Sequence, residues 1–173
     1  MARVLIVGCG CRGRALARQL VRDGHAVRGT TRDRARTPDI ASSGAEPWVG
    51  DPARLATLSR ALDAVTVVCW LLASARGDRG QVAALHRERL RSYLHEMVDT
   101  TVRGFVYEAV GTVAPGALAS GRVIVEEASG TWELPVAMLD ADPSDTPDWL
   151  AAAHDSVTAL LADRRPGAAP GLG

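Results

Sequence analysis

Apolar and polar positions follow two periods along this chain, and they take turns. Arg3 to Val7 is a nearly unbroken apolar run ending at glycine, as a parallel strand buried on both faces requires. Ala15, Leu16, Leu20 and Val21 then recur at helical spacing over Arg14 to Val21, with arginines on the outer face. Asp23-Gly24 stops that helix, because glycine accepts the left-handed cap conformation. Ala26 to Thr30 reads as a second strand, followed by a polar connection, "RDRARTPD".

The alternation repeats. Ala45 to Val49 is a third strand, "GDPARLATLSRAL" predicts a helix beginning after Pro52, and Val65 to Leu71 is a fourth strand. A loop over 73–80 leads into a long helix, Gln81 to Val98, with Val82, Leu85, Leu90, Tyr93, Leu94 and Met97 as its apolar stripe. "RGFVYEAV" and "LPVAMLD" supply strands five and six. The β-branched residues of "RVIVEE" alone would suit a strand. Parallel neighbours need a covering crossover, however, so Ala117 to Ser129 is read as a helix. A final helix opens at Thr146 as N-cap, with Pro147 and Asp148 in the first turn and Trp149, Leu150, Ala153, Val157 and Leu161 facing inward. These elements predict one α/β domain over residues 1–165: a parallel sheet of about six strands between two helical layers. A disordered tail, 166–173, follows.

Composition changes this picture in three ways. The net charge is zero, which gives no bulk attraction to nucleic acid or to an anionic membrane. All 20 basic residues are arginine, so lysine-dependent chemistry is ruled out. Eight of these arginines fall between Arg12 and Arg36, whereas Glu126 to Asp155 is mostly acidic. The three cysteines and an N-terminal apolar run too short for a leader or a membrane span point to a reducing, cytoplasmic setting.

The candidate chemistry starts in "VGCGCRGRALARQL", where Gly8, Gly10 and Gly13 spell G-x-G-x-x-G between a buried strand and an amphipathic helix. That context makes the motif a dinucleotide fingerprint of the Rossmann type. Gly8 permits the tight turn, Gly10 lets backbone approach a pyrophosphate, and Gly13 lets helix and strand pack closely. Cys9, Cys11 and Arg12 fill the remaining turn positions. An NAD-preferring site usually places an acid at the end of the second strand. This chain has Thr30, Thr31 and Arg32 there, a set suited to a 2′-phosphate, with Arg12 in reach of the same group. NADP(H) is therefore expected in preference to NAD(H), with Arg34 and Arg36 solvated.

The pieces "VLIVGCGCRGRALARQL", "GHAVRGTTRD", "WVGDPARLATLSRAL" and "DAVTVVCWL" resemble the short-chain dehydrogenase/reductase superfamily, in its extended or atypical NAD(P)-binding epimerase/dehydratase-like branch. The resemblance covers the first 70 residues well and the remainder roughly. It implies that Asp51 lies near the adenine and that Cys69, Trp70 and Leu71 border the ribose and nicotinamide. It also implies a Tyr-x-x-x-Lys pair, which this chain lacks: four residues past Tyr93 and Tyr107 stand Met97 and Gly111. In "YEAVGTV" only Glu108 and Thr112 remain as stand-in proton donors. About 34 residues follow strand six, too few for the substrate domain of extended members.

Other groups have structural explanations. Cys9 and Cys11 lack a second Cys/His cluster for a metal and read as small turn residues. His86 and His95 are expected to be exposed on their helix, nearly opposite one another. Asp140, Asp142 and Asp145 suit loop solvation and capping, and the 81–98 stripe suits either core packing or a homodimer contact. Two function classes remain: an NADP(H)-dependent oxidoreductase or epimerase-like enzyme acting on a small molecule, and a catalytically silent NADP(H)-binding sensor or regulator. An arginine-rich nucleic-acid binder is disfavoured, because no aromatic residues interleave the arginines.

Overall fold

The computed structural model describes residues 1–163, and the expected tail over 166–173 lies outside them. Six parallel strands form one sheet in the order β3-β2-β1-β4-β5-β6. They are β1 (Arg3–Val7), β2 (Ala26–Thr31), β3 (Glu46–Val49), β4 (Val67–Trp70), β5 (Gly104–Glu108) and β6 (Val136–Leu139). The order reverses between β1 and β4, where Leu5 faces Val68 and Val7 faces Trp70. Crossovers leaving β1 and β4 on opposite sides open a crevice there, at the carboxyl ends of the strands.

Period-two alternation divides the core. Leu5, Val7, Val68, Trp70, Phe105 and Tyr107 point to one face, against α4 (Glu88–Met97) and α5 (Pro115–Trp132). Val4, Ile6, Val67, Cys69 and Val106 point to the other, against α1 (Cys11–Arg22) and α6 (Thr146–Ala162). A strand buried on both faces has no polar positions to spare, which is why β1 and β4 read as continuous apolar runs. The segment 117–129 is helical, inside α5, as the crossover argument requires.

Several expected elements differ, and each difference has a physical cause. "RDRARTPD" is partly helical: a 3-10 turn, Arg34–Arg36, runs into α2 (Thr37–Ala41). Asp33 caps the turn by accepting from the Ala35 amide at 2.9 Å. The helix expected after Pro52 is instead two 3-10 turns, Leu55–Thr57 and Ser59–Leu62. There the Thr57 hydroxyl takes up local backbone groups, accepting from the Asp51 amide and donating to the Arg54 carbonyl. The single helix expected over 81–98 is broken into α3 (Arg79–Ala84) and α4. Trp70 Nε1 captures the Leu85 carbonyl at 3.1 Å, removing it from the helical ladder.

At the break His86 turns inward and is fully buried, contrary to the exposure expected of it. Its Nδ1 lies 2.8 Å from the Tyr107 hydroxyl and its Nε2 lies 3.1 Å from the Leu72 carbonyl. A carbonyl can only accept, so Nε2 carries the proton and Nδ1 is left to accept. His95 is exposed, as expected. The final helix is capped by Asp145, not Thr146: the Asp145 carboxylate accepts from the Asp148 amide at 3.2 Å. Leu90, Tyr93, Leu94 and Met97 are buried in the core of this one chain, which accounts for the 81–98 stripe.

Candidate functional site

The crevice at the β1/β4 reversal is a cleft of about 740 Å³. Its floor is the turn between β1 and α1. Gly8 sits at φ +84, and a Cβ there would lie 2.5 Å from the Leu71 carbonyl oxygen, so any larger residue collides with the β4 end. At Gly13 a Cβ would press on Gly8 O at 3.2 Å and the Ile6 side chain at 3.3 Å. At Gly10 it would meet nothing within 4 Å. The first and third glycines thus serve packing within the chain, while the second keeps open the space above the helix terminus.

That terminus is a donor site. Thr30 takes the first two turn amides, its hydroxyl accepting from Gly8 N at 3.2 Å and its carbonyl from Cys9 N at 3.1 Å. Helix geometry leaves the amides of Cys11, Arg12 and Gly13 without intrahelical acceptors, and no side chain caps them. Together with the helix dipole they attract an anionic group.

Of the residues singled out from the sequence, Gly8, Cys9, Gly10, Cys11, Arg12 and Gly13 line the cleft, as do Thr31, Arg32 and Leu71. Three others do not. Cys69 and Trp70 are fully buried within β4, facing opposite halves of the core. The Asp51 carboxylate is turned into its own loop, where it accepts from the Ala53 amide at 2.9 Å; its neighbours Gly50 and Pro52 line the cleft. Thr112 is exposed outside it. Neither tyrosine hydroxyl faces the cleft: Tyr93 bonds the Leu58 carbonyl, and Tyr107 gives its one proton to His86 Nδ1, with the Leu118 carbonyl 3.2 Å away; both rings are buried.

Charge is distributed unevenly over the lining. Five arginines (12, 14, 32, 36 and 76) face three carboxylates (Asp33, Asp39 and Glu108). Arg14 pairs with Asp39 at 3.8 Å and Arg12 lies 3.7 Å from Glu108. Arg32, Arg36 and Arg76 make no ion pair among the described residues. Arg12 corrects the sequence reading: its guanidinium points away from Thr31 and Arg32, into the β4–β5 end of the cleft. It lies 3.3 Å from Ser74 Oγ and 5.4 Å from the Trp149 ring centre.

Glu108 anchors that end. Its Oε2 accepts from the Ala73 amide and its Oε1 from Trp149 Nε1, both at 3.0 Å. Burial raises its carboxyl above the ordinary range, while the Ala73 amide, Arg12 and Trp149 oppose the shift. Every neighbour within bonding reach is a donor, so the geometry is that of an accepting carboxylate. Cys9 and Cys69 are also pushed up, to about 12, chiefly by burial. Cys11 alone of the three is exposed. Asp140 pairs with Arg122, Asp142 accepts from the Ser144 amide and Asp145 caps α6, so the acidic cluster is spent on local structure. Among the described residues no His/Cys/Asp/Glu group is placed to hold a metal, and no helix is long and apolar enough to cross a membrane.

The sequence reading missed Ser74, Arg76 and Trp149. Ser74 and Arg76 stand in the loop after β4, where position in a parallel fold was the available signal. Trp149 gave none beyond its place on the inner face of a helix.

The strand order, glycine turn and switch-point cleft define a Rossmann-type dinucleotide-binding domain. The profile of the family described as NAD(P)H-binding matches residues 8–122, and the chain belongs to that family. No curated protein matches the sequence. Among solved structures, an NAD-bound short-chain dehydrogenase/reductase superfamily protein from Agrobacterium tumefaciens superposes with a TM-score of 0.66 at 20% identity, covering 95% of this chain and 63% of that one. UDP-glucuronic acid 4-epimerase from Bacillus cereus, in complex with NAD, gives 0.65 at 16% identity, covering 79% and 54%. Vestitone reductase from alfalfa gives 0.59 at 16%, covering 80% and 56%. At these identities the likeness is one of fold alone. The chain spans about half the length of the epimerase chains it matches.

Proposed function

We propose that the cleft binds NADP(H) in preference to NAD(H), and that the protein is an atypical oxidoreductase or epimerase-like enzyme working without a Tyr-x-x-x-Lys pair. The observation carrying the coenzyme preference is at the end of β2. Thr30 and Thr31 replace an acid there, and Arg32 and Arg36 line the cleft with no carboxylate partner among the described residues. A 2′-phosphate supplies the missing anion. The diphosphate falls to the free amides of Cys11, Arg12 and Gly13. The coenzyme, when bound, supplies hydride chemistry; the chain positions it and shapes the far end of the cleft through Arg12, Glu108 and Trp149.

Calorimetric titration with NADPH, NADH and their oxidised forms tests this reading. NADPH is expected to bind most tightly, and no heat with any of the four defeats it. A second reading, a silent NADP(H)-binding sensor or regulator, is favoured by one observation: both tyrosine hydroxyls are turned into the core and Glu108 is surrounded by donors. NADPH bound but never oxidised across a panel of carbonyl compounds supports that alternative; oxidation with any member supports the enzyme.

A further inference from the structure

We propose that Arg12 is the receptor for the carboxylate of a small acidic ligand, bound at the β4–β5 end of the cleft beside the coenzyme. The inference deepens the reading above, since the ligand shares the coenzyme's cleft, and it names the substrate class.

A guanidinium carries five N–H donors in a fixed fork. Arg12 spends few of them. Its contact with Ser74 Oγ is long, at 3.3 Å, and Glu108 at 3.7 Å is beyond hydrogen-bond reach. Its Nε is buried with no hydrogen-bond partner, although the side chain as a whole remains 30% exposed to the cleft. An unpaired buried donor is costly and uncommon in a finished interior. Glu108 does not satisfy it either: the carboxylate approaches the fork at a terminal nitrogen, Nη2, 3.7 Å away, and not at Nε.

The side chain is nevertheless held in place. Trp149 stands against the guanidinium at 5.4 Å, a cation–π contact that fixes its plane without using its donors. Glu108 balances its charge from behind. Arg76, two residues after Ser74, also lines the cleft and makes no ion pair among the described residues. A positioned, half-satisfied guanidinium with a second cation on the cleft lining is matched by a planar carboxylate, which takes two parallel N–H bonds from the fork. The coenzyme's own anions are accounted for elsewhere. The diphosphate belongs to the amides of α1, and the 2′-phosphate to Arg32 and Arg36 at the opposite end.

The test uses oxamate, a small carboxylate bearing an amide, and oxamide, its neutral counterpart, titrated by calorimetry with and without saturating NADPH. Wild-type protein is expected to bind oxamate and not oxamide. Arg12→Gln should weaken oxamate at least about tenfold, a loss clearly larger than the one it causes in NADPH affinity. Arg76→Gln, a surface change that leaves the core intact, should weaken oxamate severalfold and keeps the test open if Arg12→Gln does not fold. Absence of oxamate binding to wild type, equal binding of oxamide, or unchanged affinity in both variants overturns the proposal. So does inorganic phosphate competing better than oxamate, or parallel loss of NADPH and oxamate in Arg12→Gln, which would make Arg12 a coenzyme ligand. Oxamate binding that depends on Arg12 in a protein that binds no NADPH defeats the coenzyme reading and leaves the carboxylate site standing.

Discussion

Arg32→Ala separates the two coenzymes. Arg32 is exposed at the end of β2, lines the cleft and has no ion pair among the described residues. Its loss therefore removes nothing that holds the fold, and the stability change should stay within about 0.5 kcal/mol, as for other surface positions. The ligand term is larger. Hydrogen bonds to charged groups contribute about 1.5–3 kcal/mol. Solvent on an open rim, with Arg36 left to compensate in part, places the expected value near the lower limit, about 1.5 kcal/mol. NADPH should then bind roughly tenfold more weakly. NADH, which lacks the 2′-phosphate, should change less than about twofold, a level set by long-range charge alone. Titration of both reduced coenzymes at one fixed ionic strength checks this, and raising the salt should narrow the NADPH difference. Equal losses for the two coenzymes would refute the 2′-phosphate assignment. No loss for either would remove Arg32 from the site.

Three further outcomes follow from the geometry. Gly8→Ala forces a side chain into left-handed backbone and onto the Leu71 carbonyl at 2.5 Å, and should cost about 2–4 kcal/mol in urea unfolding; a cost under about 0.5 kcal/mol contradicts the described turn. Burial holds the His86 imidazole below its ordinary 6.5, with the bond to the Leu72 carbonyl opposing, so below about pH 6.5 the unfolded chain takes up a proton that the native one refuses. Stability should fall as the pH drops through that window, and His86→Leu, less stable at neutral pH by about 2 kcal/mol for its lost hydrogen bonds, should show a shallower fall; identical pH slopes argue against a buried neutral imidazole. Cys11 is exposed on the cleft while burial pushes Cys9 and Cys69 up to about 12, so a thiol reagent should modify one cysteine quickly in the native protein and NADPH should slow it. Modification of several thiols at equal rates counts against this burial pattern.

The strands and the glycine turn were legible in the sequence because their causes are local. β1 and β4 are apolar at consecutive positions since both faces are covered, and Gly8 and Gly13 are glycine because a Cβ at either meets atoms close along the chain or in the paired strand. Even α5, whose "RVIVEE" favours a strand by composition, followed from the rule that parallel neighbours need a crossover. The helix break in 81–98 fell where a distant group took over a backbone atom, whereas the missing helix after Pro52 has a local cause in the Thr57 hydroxyl. The stripe of 81–98 reads as helical, but the indole of Trp70 claims the Leu85 carbonyl and the helix breaks there. His86 stands four residues after Val82 and four before Leu90, so helical spacing itself places it on the apolar side; its burial against Tyr107 and Leu72 follows that spacing, and reading it as exposed went against it.

The candidate site divides in the same way. The anion-binding amides at the start of α1 and the threonine–arginine end of β2 come from single short stretches, so local sequence determined them. The far end of the cleft is assembled from Arg12, Ser74, Glu108 and Trp149, which lie on α1, the loop after β4, the end of β5 and the start of α6. Only the stacking of those elements decides that Arg12 leans on an indole and away from the β2 arginines. The physical reason is range: backbone preference and side-chain period act over a few residues, whereas the orientation of a long charged side chain depends on which cations, carboxylates and rings the whole fold brings within a few ångströms of it.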